Sequence, residues 1–126
     1  MIVGIGMDLV SVERIARQLA SPTADRFLGR VFTSGEQSFC DRFRDRANRY
    51  AARFAAKEAA SKALGVPAGI GFLDVEVVRG EGAPRLVLAG AAARAAATLG
   101  AIKVHLTLTH DGGMAAAAVI LEAPET

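Results

Sequence analysis

The chain has 126 residues, 52% of them hydrophobic and 22% charged, which suits a single domain over residues 1–126 and excludes a disordered chain. Charged residues interrupt its apolar runs, and the N-terminal MIVGIGMDLV has no basic flank, so neither a membrane span nor a signal peptide is predicted. The net charge of +2 is unevenly spread, because residues 1–65 hold eleven basic and seven acidic side chains, which suits an anionic partner.

The first predicted element is a strand over residues 2–10, in which Gly4 and Gly6 allow another backbone to approach closely. Ser11 is a plausible N-cap for the helix that follows, because apolar residues then recur at helical spacing. This helix is predicted to turn its polar residues outward: Glu13, Arg14, Arg17 and Gln18.

Two further helices are predicted in the first half of the chain. Thr33 and Glu36 have the spacing of a capping box, which indicates a short helix that ends near residue 43. A long helix over residues 45–64 follows and is closed by Gly65. Cys40 is the only cysteine and can form no internal disulfide, which favours a reducing cytoplasm.

The second half of the chain predicts four strands and one helix. Strands over residues 75–78 and 85–88 are joined by a glycine-containing loop, and glycines bracket an alanine-rich helix over residues 90–100. An alternating strand over residues 103–109 turns at Asp-Gly-Gly into an apolar strand over residues 114–121. Hairpins with helices between them indicate an α+β domain with a largely antiparallel sheet packed with helices.

The long helix places its charged residues in two patterns. At about 100° per residue, one narrow stripe is predicted to face water or a polyanion. That stripe comprises Arg46, Arg49, Arg53 and Lys57. Glu58 and Lys62, four residues apart, instead interrupt the apolar side that should pack inward. Because unpaired charge is costly there, the pair is predicted to line a functional site rather than to form an ordinary surface ion pair.

Asp8 is a further charged residue in apolar surroundings, near the end of the first strand. On its own, Asp8 is most simply interpreted as an ordinary aspartate at the end of a strand. Together with Glu58 it provides two hard oxygen ligands, which suit Mg²⁺ completed by waters and substrate phosphates. His110, at the end of an alternating strand, could bind phosphate, act as a base or simply occupy a turn, and its position does not distinguish these roles.

Two segments, GIGMDLVSVERI at residues 4–15 and RFAAKEAASKALG at residues 53–65, resemble the 4′-phosphopantetheinyl transferase superfamily. The similarity continues through FLDVEVVRGEGAPRLVL and VHLTLTHDGGMAAAAVI, so it runs from the first residue to about residue 121. The short, single-unit length is similar to the holo-acyl-carrier-protein synthase branch. The resemblance implies the superfamily's α+β fold.

The resemblance implies an enzyme that moves the 4′-phosphopantetheine arm of coenzyme A onto a serine of an apo acyl carrier protein. The other product is adenosine 3′,5′-bisphosphate. By the same resemblance, Asp8 and Glu58 hold a catalytic Mg²⁺, and Lys62 lies beside the pyrophosphate. The proton of the acceptor serine could pass to a metal-bound water, to Glu58 or to Asp8, and the sequence does not rank these acceptors.

Substrate contacts and assembly are also implied by the resemblance. His110 is expected in the coenzyme A site, and the other expected substrate-binding residues are Arg53, Ser61, Gly65 and Thr109. Members of the family form trimers with active sites between subunits. The 52% hydrophobic content and the broad apolar helix faces agree with a homotrimer.

The expected protein partner is a carrier protein with an acidic helix beside its acceptor serine. A basic surface on the first predicted helix, extended by the next arginine, would complement it in charge. The predicted docking residues are Arg14, Arg17, Gln18 and Arg26.

Two other classes of function compete with the transferase. A non-catalytic module could bind an acidic protein or a nucleotide through the arginine-rich face, and it would not need Asp8, Glu58 or Lys62. Nucleic-acid binding is disfavoured, because Tyr50 is the only tyrosine or tryptophan and no aromatic alternation accompanies the basic stripe.

Overall fold

The structure, a computed structural model, describes residues 1–125 and contains a three-stranded sheet, a two-stranded sheet and five α-helices. The elements in chain order are β1 (Ile2–Ser11), α1 (Val12–Leu19), α2 (Ala24–Val31), α3 (Ser34–Cys40), α4 (Arg46–Ala63), β2 (Val75–Val78), β3 (Arg85–Leu88), α5 (Gly90–Thr98), β4 (Lys103–Asp111) and β5 (Met114–Glu122). A 3-10 turn at Phe72–Asp74 precedes β2. Among these helices, none combines the length and the apolar character that crossing a lipid bilayer requires.

The larger sheet has β5 in its centre, paired antiparallel with β1 on one side and with β4 on the other. β2 and β3 form a separate antiparallel pair. All five strands were predicted from the sequence, with ends that differ by no more than two residues from those observed. The predicted α+β class with an antiparallel sheet is confirmed.

Helix α4 packs across one face of the larger sheet, which we call the inner face. β5 buries every second residue against it, and these residues are Ala115, Ala117, Val119 and Leu121. The contact is closest at β1, because Gly4 and Gly6 carry no side chain there. An added Cβ at Gly6 would lie only 2.0 Å from the carbonyl oxygen of Ala59 in α4.

Replacing Gly6 by Ala is therefore expected to lower the free energy of unfolding by about 3 kcal/mol, because strand and helix must separate to admit a methyl group. Urea denaturation measures the change. Gly29→Ala is the matched control, since Gly29 lies in α2 with no neighbouring heavy atom within 4 Å of an added Cβ. The free energy of unfolding of this control variant is expected to rise by about 0.5–1 kcal/mol. Equal stability of Gly6→Ala and the unaltered chain would contradict the close packing.

The opposite, outer face of the larger sheet is apolar and exposed along β1, whereas its β4 side carries polar residues such as His105, Thr107 and Thr109. Ile5, Met7 and Leu9 of β1 are 70%, 70% and 63% exposed. Met7 lies in register with Ala118 of β5, which in turn lies in register with Thr107 of β4. A row of large apolar side chains open to water is typical of a surface that another protein covers.

The prediction of a solvent-facing charged stripe along α4 is wrong at two of its four positions. Arg46 and Arg49 are partly exposed and pair with neighbouring aspartates. Arg53 and Lys57, by contrast, are buried. The prediction of a solvent-facing stripe used helical spacing alone, and it assumed that one side of the helix is open to water along its whole length. In the structure, α3 and the segment around β2 cover this side of α4, so the C-terminal half of the helix is enclosed on most sides.

Helix α2 was not predicted. Its first residue follows Thr23, whose side chain makes no capping hydrogen bond, and Gly29 lies within the helix. The interior glycine weakens the sequence signal for a helix, and a helix of eight residues is too short to show a clear apolar period. The predicted capping box is confirmed, because Glu36 N–H donates to Thr33 Oγ1 while the Glu36 carboxylate accepts from Thr33 N–H. α3 nevertheless ends at Cys40, about three residues before the predicted end.

Candidate active site

Asp8 and Glu58 line one cleft between β1 and α4. Asp8 lies two residues after Gly6, and Glu58 lies one residue before Ala59, the residue that Gly6 faces. The close approach of strand and helix at Gly6 therefore also brings the two carboxylates together. The charge interaction between them is strong enough to affect the protonation of Glu58.

Lys62 lies one helical turn after Glu58, and its partner is Asp8. The Nζ of Lys62 donates to Asp8 Oδ1 at 3.0 Å and to the carbonyl oxygen of Met7 at 3.1 Å. The Lys62 side chain is half exposed, so its ammonium group remains accessible to an anion. The structure brings together the three residues predicted to be catalytic. It places Glu58 and Lys62 on the most open side of α4, which corrects the expectation of an inward-facing side.

The electrostatics of the two carboxylates favour a bound cation. Partial burial raises the pKa of Glu58 above its ordinary value of 4.5, the Asp8 carboxylate raises it further, and Lys62 partly opposes both. Within residues 1–125, no three His, Cys, Asp or Glu side chains are grouped so that they could hold a metal ion. Two carboxylates beside an open cleft are a donor set that fits Mg²⁺, which commonly takes one or two carboxylates and completes its shell with water and phosphate oxygens.

The cleft that contains the carboxylates has a volume of about 370 Å³. Arg14 and Gln18 of α1 line it, and so do Phe27 of α2 and Phe54 of α4. The cleft therefore combines a carboxylate end, an aromatic section and a basic side. The aromatic section was not predicted from the sequence, because α2 was missed and Phe54 reads as a core residue of α4.

A second cleft of about 450 Å³ adjoins the first and shares Phe27 with it. Arg26 and Arg30 of α2 line this second cleft. Arg17 pairs with Glu13 at 3.6 Å and lines a surface depression together with Arg14 and Gln18. Three of the four predicted docking residues thus lie along two connected clefts, and Arg17 lies next to Arg14 and Gln18 on α1.

On the other side of Glu58, a narrow groove of about 90 Å³ runs past Ser61. Gly71 and Phe72 form its opposite wall. Gly65 closes α4 with a φ of 85°, as the predicted helix end requires, and lies beyond the residues that line this groove. Ser61 is thus next to Glu58, whereas Gly65 shapes the turn that follows.

That turn is strained at Val66, whose φ is 52°. Left-handed backbone is unusual for a β-branched residue and costs free energy. The Val66 N–H donates to the Ser61 carbonyl oxygen at 2.8 Å, which holds the turn in place. The turn that follows α4 is thus formed by Gly65, Val66 and Pro67.

Arg53, a predicted substrate-binding residue, is not brought to the cleft. Its guanidinium lies 4.4 Å from the ring centre of Phe39, and Nη1 donates to the carbonyl oxygen of Arg49 at 3.4 Å. Burial lowers its pKa, and its Nε has no hydrogen-bond partner within residues 1–125. The side chain is 4% exposed, so in a single chain it has no access to a ligand.

His110 and Thr109 lie on β4, at the opposite edge of the sheet from Asp8. His110 is in register with Ala115 on the inner face, whereas Thr109 is in register with Ala116 on the outer face. β5 lies between them and β1. Within one chain they do not join the carboxylates, so a shared site would require a second copy.

The sequence profile of the 4′-phosphopantetheinyl transferase superfamily matches residues 4–119 of this chain. A holo-[acyl-carrier-protein] synthase of Anaeromyxobacter sp. (strain Fw109-5) is 68% identical over 127 residues, covering 99% of this chain and 98% of that protein. The chain therefore belongs to the 4′-phosphopantetheinyl transferase superfamily and, within it, to the holo-[acyl-carrier-protein] synthases.

Solved structures show the same fold. The holo-(acyl-carrier-protein) synthase of Bacillus anthracis in complex with CoA (3′,5′-ADP) is 36% identical, with a TM-score of 0.79, and the match covers 98% of this chain and 99% of that one. The synthase of Helicobacter pylori in complex with coenzyme A is 30% identical, with a TM-score of 0.80, and the match covers 94% of this chain and 99% of that one.

Proposed function

We propose that residues 1–126 form a single transferase domain, which moves the 4′-phosphopantetheine arm of coenzyme A onto a serine of an apo acyl carrier protein. The observation that carries the proposal is the cleft lined by Asp8 and Glu58, with Lys62 paired to Asp8, in a chain of this superfamily. The relatives crystallised with coenzyme A support it as the donor. The ordered carboxylate cleft favours the enzyme over a non-catalytic binding module.

The reaction forms one bond and breaks another within the pyrophosphate of coenzyme A. The serine oxygen bonds to the β-phosphorus while its proton passes to water or to one of the two carboxylates of the cleft. The bond from that phosphorus to the bridging oxygen breaks, and adenosine 3′,5′-bisphosphate departs with the α-phosphate. Negative charge therefore builds on the departing phosphate. The Lys62 ammonium is already oriented by Asp8 and by the Met7 carbonyl, so it stabilises this charge without reorganising.

Mg²⁺ would be held by Asp8 and Glu58, and when bound it would neutralise and orient the phosphate oxygens. The elevated pKa of Glu58 agrees with this assignment, since a cation relieves the repulsion between the two carboxylates. Ser61 lies beside Glu58 in the narrow groove and would contact the same substrate.

We further propose a homotrimer, in which the outer face of the larger sheet is buried and the active sites lie between subunits. The exposed apolar row at Ile5, Met7 and Leu9 supports burial of this face. The separation of His110 from Asp8 within one chain supports a shared site. The expectation of three subunits comes from the family resemblance. A cytoplasmic location agrees with the single, buried Cys40.

Mass spectrometry tests the proposal directly. Apo acyl carrier protein incubated with the enzyme, coenzyme A and Mg²⁺ is expected to gain the mass of one phosphopantetheine arm on its acceptor serine. The same mixture with a carrier protein whose serine is replaced by alanine is the control. An unchanged carrier mass after prolonged incubation with folded enzyme would favour the non-catalytic binding module.

Carrier protein is expected to dock on α1. Replacing Arg14 and Arg17 together by Glu should raise the KM for carrier protein about tenfold and flatten its salt dependence, because rim charges mainly speed association. kcat and the KM for coenzyme A should stay within about twofold. Steady-state kinetics at two ionic strengths give these values.

The control for this docking prediction is the double variant Arg85→Glu and Arg94→Glu, which makes the same charge change at exposed positions on β3 and α5. It should leave the KM for carrier protein unchanged. If both double variants raise this KM equally, net charge rather than α1 governs association.

A further inference from the structure

A closed network of buried polar groups connects α4 to the segment before β2. Lys57 and Glu36 are 2% and 1% exposed, and Lys57 Nζ is 2.8 Å from Glu36 Oε1. Lys57 also donates to the carbonyl oxygens of Phe72, at 3.0 Å, and Val75. Its three donors are therefore all used.

The carboxylate of Glu36 is equally well satisfied. Besides Lys57, it accepts from the N–H of Thr33 at 2.9 Å and from the N–H of Val77 at 2.9 Å. The network thus joins α3, α4 and β2 to the turn that contains Phe72. A buried ion pair adds little stability over a well-packed apolar pair of the same volume, so stability alone does not explain its use here.

The geometry of the turn shows what the network positions. Lys57 immediately precedes Glu58 in α4, and its two carbonyl contacts fix both ends of the segment from Phe72 to Val75. The Phe72 ring stacks on Phe54 with ring centres 5.5 Å apart. Phe72 and Val75 line the narrow groove beside Glu58. The wall of that groove is therefore attached to the helix that carries the carboxylate.

We propose that Glu36 and Lys57 are positioning residues, which hold the Phe72–Val75 segment as the wall of the groove beside Glu58 and thereby set the affinity for coenzyme A. The groove volume of about 90 Å³ is too small for a folded carrier protein, so of the two substrates only coenzyme A could place a part of itself there. Neither residue touches the reacting atoms. This inference rests on the proposed transferase function only for its kinetic readout.

The kinetic test uses Lys57→Met, which keeps the volume and removes the three donors, and the double variant Glu36→Gln with Lys57→Met, which also removes the orphaned charge. Both are expected to raise the KM for coenzyme A about tenfold while kcat stays within about twofold, because the catalytic residues are unchanged. Tyr50→Phe is the matched control. Tyr50 lies on the same helix, about two turns before Lys57, and does not line the groove. Its replacement removes a partly buried hydrogen bond to Asp41 and should lower thermal stability without changing this KM.

Phe72→Ala keeps the inference testable if the network variants fail to fold, since Phe72 is partly exposed and can be truncated without opening the core. It should reproduce the rise in the KM for coenzyme A. An unchanged KM in Phe72→Ala, or in the folded double variant, would overturn the inference.

A readout independent of activity separates this inference from the transferase proposal. The chain contains no tryptophan, so Phe72→Trp places a single tryptophan at the wall, and its emission can be excited separately from that of Tyr50. Adding Lys57→Met to this reporter protein is expected to raise acrylamide quenching about twofold, because the released segment exposes the ring. Quenching that does not change would contradict the positioning role, even in a protein whose transferase activity is confirmed.

Discussion

Glu58→Gln and Asp8→Asn are each expected to lower the kcat of transfer by about a thousandfold. Both changes keep the shape of the side chain and remove a negative charge that would hold Mg²⁺. Asp8→Asn also removes the carboxylate that orients Lys62. Steady-state kinetics with saturating coenzyme A measure the loss, and circular dichroism checks that each variant is folded.

The stability of Glu58→Gln provides an internal control for this loss. The pKa of Glu58 is raised in the folded protein, so the folded state binds more protons than the unfolded state between the ordinary value of 4.5 and the raised one. The stability of the unaltered protein therefore falls as pH rises through this window. Without Mg²⁺ at pH 7, Glu58→Gln is expected to melt about 1–2 °C higher than the unaltered protein.

Metal removal should have the same kinetic effect as these substitutions. A chelator is expected to abolish transfer by the unaltered enzyme, and added Mg²⁺ should restore it. A folded Glu58→Gln protein that turns over at the normal rate would show that Glu58 is not part of the metal site.

The secondary structure was largely predictable because the signals are local. The pairing of Thr33 with Glu36, the glycine that ends α4 and the alternation along β4 each act within a few residues. The candidate catalytic residues were predictable because Asp8, Glu58 and Lys62 are charged residues in segments whose neighbouring residues are mostly apolar. The approach of Asp8 to Lys62 follows from the two glycines of β1, which are visible in the sequence.

The remaining features depend on contacts between distant segments. Lys57 looks like a solvent-facing residue until α3 brings Glu36 to it, 21 positions earlier in the chain. Arg53 is buried for a related reason, because the ring of Phe39 covers it. The role of Phe72 requires knowing where the turn before β2 lies, which helical and strand periodicity do not describe.

Assembly through the outer face of the larger sheet predicts a second large effect. Met7→Lys is expected to convert the proposed trimer to monomers at micromolar concentration and to reduce activity about a hundredfold, because it would bury an unpaired charge in an apolar interface. Light scattering measures the mass. Met7 is 70% exposed in the single chain, so its replacement should leave each subunit folded.

Val87→Lys is the matched control for the assembly prediction. Val87 is an apolar residue of β3, outside the larger sheet, and is 38% exposed. The substitution Val87→Lys should leave both the molar mass of the assembly and the transferase activity unchanged. A Met7→Lys protein that remains trimeric would place the interface elsewhere.

Mixing two inactive variants tests whether the active site is shared between subunits. Glu58→Gln lacks the carboxylate, and His110→Ala lacks the histidine that lies at the other edge of the same sheet. After random exchange of subunits in a cyclic trimer, about one interface in four would combine an intact Glu58 with an intact His110. An equal mixture is therefore expected to recover about a quarter of the unaltered activity. If verified subunit exchange recovers none, His110 and Glu58 do not act together across an interface.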